Sequence, residues 1–135
     1  MNTLDCLIYI SRATLAPVEN RRQLDDIVEV SAYRNAEAGI TGILTLQNGY
    51  FIQLLEGAPS ALDLLMLHLH FDKRHKDIHI VARETIARKD ITGWSMIGPA
   101  PSVPPHPLID AMLARPPSSV RPWREALIEM AGVPA

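Results

Sequence analysis

The sequence contains a single cysteine, Cys6, among 135 residues. An intramolecular disulfide and a cysteine-based zinc site are therefore excluded, and a reducing, cytoplasmic setting is the default expectation. A surplus of charge is missing too: 13 basic against 15 acidic side chains leave a formal net charge of −2. Nucleic-acid binding that relies on Lys and Arg neutralising phosphates is not expected of such a chain. No apolar run approaches the roughly 18 residues of a membrane span, and the N-terminus lacks a signal-peptide pattern, so no membrane partner is expected. Internal repeats are absent. What remains is ordinary globular composition, 47% hydrophobic and 21% charged, at a length that suits one compact core.

Proline is unevenly spread. Nine of the eleven prolines follow Gly98, so residues 1–98 read as the folded body and residues 99–135 as a Pro-rich connection with two helical patches. Leu4 to Ser11 is short and apolar, as a buried strand would be. A helix is expected over Arg21 to Ala36, where Leu24, Ile27, Val28 and Ala32 recur at helical spacing. Gly39 and Gly42 bracket its end and the next strand. Ile43 to Gln47 and Tyr50 to Glu56 flank Asn48-Gly49, the dipeptide of a two-residue hairpin. Pro59 opens a second helix running to about Phe71, and strands are expected at Ile78 to Ala87 and Trp94 to Gly98. The order is α+β and ferredoxin-like, β-α-β-β-α-β plus one extra strand, with the helices on one sheet face.

Several polar side chains fall where apolar ones are expected. The hairpin turn pairs Leu46 with Phe51 and Leu44 with Gln53, so Gln53 shares a face with Leu44, Leu46, Phe51 and Leu55. An amide there either bonds backbone at the sheet rim or meets a specific partner. Asn35 ends the apolar stripe of the first helix, where it satisfies loop carbonyls or a ligand. On the second helix Ala61, Leu65, His68 and Asp72 form one row, and His68 and Asp72 are i, i+4 neighbours. With two ligand types and no third, they do not make a metal site. Tyr9 alternates with Leu7 and Ser11 along the first strand, and Trp94 and Met96 share one face of the last. Taken together these residues outline an apolar slot with a few placed polar groups, suited to a flat heterocycle whose edge alternates C=O and N–H.

The same residues resemble the BLUF family, flavin-binding sensors of blue light. The resemblance runs from about Leu4 to Gly98. It rests on Leu7-Ile8-Tyr9-Ile10-Ser11, on the run from Asn35 to Gly42, and on the run from Phe51 to Gly57. Asp72-Lys73-Arg74-His75 and Gly93-Trp94-Ser95-Met96 complete it. It implies that Tyr9 is the photoactive tyrosine and that Gln53 lies between it and the flavin. It implies flavin-binding roles for Asn35, Arg34, His68, Asp72, Arg74 and His75, with Ile27 and Phe51 as apolar contacts, and places Trp94 and Met96 beside the switch. Arg34 departs from the Asn or His of many members, and Ile10 from a small polar residue. The implied cofactor is FAD, with FMN or riboflavin also accepted. The implied activity is not enzymatic: light drives electron and proton transfer from Tyr9, and Gln53 rearranges its hydrogen bonds.

The second sheet face, with Cys6, Ile8, Ile10, Ile43, Thr45, Ile52 and Leu54, is apolar as well. It needs its own cover. Leu108, Ile109, Met112 and Leu113, then Trp123, Leu127, Ile128 and Met130, are the candidates. A short, stand-alone photoreceptor is expected, signalling through a protein partner or a homodimer or higher homo-oligomer. The competing reading is a light-insensitive ferredoxin-like binding module. An acylphosphatase-like hydrolase finds no phosphate cradle in the sequence.

Overall fold

The structure is a computed structural model, and it describes residues 3–13, 33–71, 75–91 and 107–131. Strands β1 (Leu4–Ala13), β2 (Thr41–Gln47), β3 (Tyr50–Gly57) and β4 (His75–Ile86) form one sheet in the order β2-β3-β1-β4. Every adjacent pair is antiparallel. Helical residues 33–38 (α1) precede β2, α2 (Pro59–His70) links β3 to β4, and α3 (Pro107–Ala114) and α4 (Val120–Ala131) follow. With β3 lying between β1 and β2, this is the ferredoxin-like arrangement the sequence predicts. The expected strand at Trp94 to Gly98 lies outside the described residues.

Local chemistry explains the turns. Asn48 and Gly49 both have positive φ, 53° and 80°, as a type I′ hairpin requires. The predicted register follows, with Gln47 opposite Tyr50, Leu46 opposite Phe51 and Leu44 opposite Gln53. Helix α1 ends in a Schellman motif: Gly39 takes φ 70°, its N–H donates to Ala36 O, and Ile40 N–H donates to Asn35 O at 2.8 Å. Gly42 is required for a different reason. A Cβ there would stand 2.4 Å from the Leu54 carbonyl oxygen on the neighbouring strand.

Strand β4 starts three residues earlier than expected, at His75. Its first turn of sequence is polar and carries no alternation of apolar residues, yet Ala13 and Arg12 of β1 pair with His75 and Lys76. Asp77, at φ 53°, lies where the β1–β4 register shifts, so a bulge absorbs the mismatch.

Two cores sit on the two sheet faces. Leu7, Tyr9, Leu44, Phe51 and Leu55 pack with Ile40 and with Leu62 of α2. On the other face Cys6, Ile8, Ile43, Ile52 and Leu54 pack with Ile109 and Met112 of α3 and with Val120, Trp123, Ala126 and Leu127 of α4. Cover by the C-terminal helices is therefore observed. Leu108 is the exception: it is 49% exposed and does not join that core, because it precedes the α3 stripe of Ile109 and Met112 by one position.

Candidate functional site

A cavity of about 590 Å³ opens between α1 and α2. Arg34, Asn35, Glu37 and Ala38 of α1, with Ile40 after its cap, form one wall. Ala61, Leu64, Leu65 and His68 of α2 form the other. The predicted row Ala61–Leu65–His68 thus does line a single slot, since one helical turn separates each from the next. Asp72, at the end of that row, lies outside the described residues, as do Ile27, Arg74, Trp94 and Met96. His75 opens β4, and its backbone pairs with Ala13.

Asn35 is the polar anchor of the cavity. It is 2% exposed, and among the described residues its Nδ2 has no hydrogen-bond partner. A buried amide nitrogen without an acceptor costs roughly 1–3 kcal/mol, so the position favours an occupant that accepts a hydrogen bond. Arg34 and His68 stand exposed on the same walls, the first bringing a guanidinium and the second an imidazole toward it.

Beneath the cavity lies the sheet. Tyr9 and Gln53 are direct partners in the β1–β3 register, and Gln53 is also the partner of Leu44. Opposed residues of an antiparallel pair point to the same side. Tyr9 is 1% and Gln53 3% exposed, so the phenol and the amide are neighbours in a dry apolar layer. Neither they nor Phe51 are among the described residues of the cavity wall. The two regions are joined through Ile40, Ala61 and Leu65, which belong both to the wall and to the cluster around Tyr9 and Phe51.

Arg83 of β4 holds α2 in place above this layer. Its Nε donates to Asp5 Oδ2 at 2.9 Å, its Nη1 to Asp63 Oδ1 at 2.6 Å, and its Nη2 to the Pro59 carbonyl. No group of three or more His, Cys, Asp or Glu suited to a metal exists among the described residues. No described helix is long and apolar enough to cross a membrane.

Reading from sequence missed Glu56, which is fully buried. It accepts from Asp90 N–H and Ile91 N–H, both at 2.9 Å, and from Thr41 Oγ1 at 3.3 Å. A signal was available: Ile52, Leu54 and Glu56 alternate on one face, so an acid ends an apolar row. Opposite Glu56 on β1 sits Cys6. Burial, followed by the neighbouring charge of Glu56, pushes its thiol up to about 12.

Comparisons with known proteins converge on one family. The pattern of the BLUF family, sensors of blue light using FAD, matches residues 4–97. The chain is 43% identical over 77 residues to the photoactivated adenylate cyclase subunit beta of Euglena longa. That match covers 57% of this chain and 9% of the cyclase subunit, so the chain spans about a tenth of that relative's length. Among solved structures, the dark state of BlrB, a BLUF protein, superposes with a TM-score of 0.62 at 31% identity, covering 93% of this chain and 79% of that one. The photo-activated state of BlsA superposes with a TM-score of 0.76 over 98% of this chain and 96% of that one. At 20% identity it speaks to the fold alone.

Proposed function

The chain belongs to the BLUF family of blue-light flavin sensors, and we propose that the α1–α2 cavity holds the flavin ring non-covalently, with Tyr9 and Gln53 as its photochemical partners. The observation that carries this reading is the unpartnered, buried Asn35 Nδ2 on the cavity wall. The pocket residues fit the group: Ala38, Ile40, Ala61, Leu64 and Leu65 offer apolar wall to a ring, Asn35 Nδ2 a donor to a ring carbonyl, and the Arg34 guanidinium and His68 imidazole polar contacts to a phosphate-bearing arm. Asp72, Arg74 and His75, with Ile27 and Phe51, complete the proposed set.

A bound flavin supplies a ring that, excited by blue light, accepts an electron and a proton. Tyr9 is the donor of both, since its phenol is an oxidisable group among the described residues of the layer beneath the slot. Gln53 relays and switches. Its side chain offers one donor end and one acceptor end, so a half-turn or a tautomer change reverses its hydrogen bonds without altering its packing volume. Burial excludes water that would otherwise compete for those bonds. Trp94 and Met96 flank this switch in the proposed arrangement. FAD is the proposed resident flavin, with FMN and riboflavin accepted, because no GxGxxG fingerprint exists in the sequence to demand the adenylate half.

The whole-protein activity of the cyclase relatives is not carried over. We read the output as a light-dependent change in a protein partner or a homo-oligomer, in the cytoplasm. The deciding experiment offers FAD, FMN and riboflavin separately to the purified protein and records light-minus-dark absorption spectra. A yellow protein with a reversible red shift is expected. A protein that stays colourless, or a bound flavin whose spectrum ignores light, would overturn the assignment.

A further inference from the structure

Six large apolar side chains stand exposed among the described residues, and four of them, Tyr33, Leu64, Leu67 and Phe71, lie on α1 or along α2 and its cap. Scattered exposed apolar residues are ordinary, but a group gathered on the two helices of one cavity marks a binding surface. Phe71 caps α2 with helical backbone, φ −94° and ψ −1°. Helical geometry therefore places it about 20° from Leu64 around the axis and roughly 10 Å farther along it, in the outer row of the cavity wall. Tyr33 precedes Glu37 of the other wall by one turn. Both aromatics belong to the same end of the slot. Thr41 pairs with Glu56, so β2 begins where β3 finishes. Helix α1 arrives at that end and α2 leaves from it, which makes the two helices antiparallel on one sheet face. Ala38 and Ala61 thus mark one end of the slot, and Arg34 and His68 the other. Tyr33 and Phe71 lie beyond Arg34 and His68 on their respective helices.

We propose that Phe71 and Tyr33 form a shelf that seats the adenine of FAD by stacking, so that this chain prefers FAD to FMN. The shelf rests on the flavin reading given above and adds a second subsite to it. FAD is a linear molecule in which ring, ribityl chain, diphosphate and adenosine follow one another. With the ring at Asn35 and the phosphates at Arg34 and His68, the adenosine emerges at the end where the two aromatics stand. Stacking on an aromatic side chain uses the π-face of a base and needs no glycine-rich loop or hydrogen-bond pattern. Phe71 suits this use. It is 75% exposed, and His70 meets it at 84° with ring centroids 5.9 Å apart. Such a T-shaped contact occupies at most one face of the Phe71 ring and leaves the other for a base. Covering Phe71 and Tyr33 also removes apolar surface from water, a gain that FMN, lacking adenosine, does not make.

Isothermal titration calorimetry of the flavin-free full chain in the dark, with FAD and with FMN, tests this. FAD should bind about five- to 150-fold more tightly than FMN, the range expected for stacking one base on an aromatic side chain. The double variant Tyr33→Ala/Phe71→Ala should bring FAD down to the affinity of FMN. Its FMN affinity should stay unchanged, because both residues are exposed and neither belongs to the described cavity wall. Exchanging the two, Tyr33→Phe with Phe71→Tyr, keeps both ring faces and should retain the preference for FAD. Equal affinities in the unsubstituted protein, a preference that survives the double alanine variant or is lost in the exchange, or equal weakening of both flavins overturns the shelf. FMN uptake without a preference for FAD refutes the shelf and leaves the pocket standing. Uptake of neither flavin refutes the pocket, and the shelf falls with it.

Discussion

Tyr9 and Gln53 stand directly opposite one another on β1 and β3, both almost wholly buried. The pairing makes a phenol and a reversible amide cross-strand neighbours, the shortest route a sheet offers between two side chains. Tyr9→Phe removes only the hydroxyl, and Gln53→Leu removes donor and acceptor at similar volume. Both variants should bind flavin and remain yellow while losing the light-induced red shift. Light-minus-dark spectra decide it, and a wild-type shift in Gln53→Leu would remove Gln53 from the switch.

Asn35→Ala should separate binding from folding. Its Nδ2 has no partner among the described residues, so deleting it should not lower thermal stability. Flavin affinity should fall by about 1–3 kcal/mol, roughly five- to 150-fold in Kd. Fluorescence titration with FMN, alongside a melting curve without it, reads both.

Cys6 makes stability depend on alkaline pH. Its thiol is raised from 9.0 to about 12 in the fold, so between these values the folded state keeps a proton that the unfolded state has released. Stability from this group is complete below pH 9 and declines as pH rises, by up to about 1.4 kcal/mol per unit. Urea unfolding from pH 8 to 10.5 should show that slope in the wild type, with this component gone in Cys6→Ala.

Thr45 is buried beneath the C-terminal helices, and its Oγ1 has no partner among the described residues. Thr45→Val replaces that hydroxyl by a methyl of nearly equal size. It should raise the unfolding free energy by about 1 kcal/mol or more, since an unsatisfied buried group is removed. A lower urea midpoint would show that the hydroxyl is satisfied in solution.

Trp123 tests the outer core. It is fully buried in that core, and its Nε1 donates to the Pro117 carbonyl at 3.1 Å. Trp123→Ala should destabilise the fold by about 3–5 kcal/mol, with exposure of the apolar face of Cys6, Ile8 and Leu54 and aggregation visible by light scattering.

Much of this protein is written locally. The type I′ turn at Asn48-Gly49 sets the β2–β3 register because positive φ at two successive residues admits few alternatives. Period-two alternation then assigns Gln53 to the face of Leu44, Phe51 and Leu55, and the spacing of Ala61, Leu65 and His68 assigns them to one wall. These are relationships between residues a few positions apart, where backbone geometry alone decides which side chains coincide.

The tertiary structure alone decided the rest. Nothing near Glu56 in sequence announces that its partners are Asp90 and Ile91, or that Asp90 in turn meets Arg124. The Val120 N–H at the start of α4 finds its acceptor in Glu84, 36 residues earlier. The pairing of β4 with β1 likewise begins at polar His75 and Lys76, where alternation is silent. Such contacts form because packing two helices onto the second sheet face strips water from polar groups, each of which must then bond whatever the fold has brought within reach. That choice depends on three-dimensional proximity, which a pattern of period two or 3.6 does not encode.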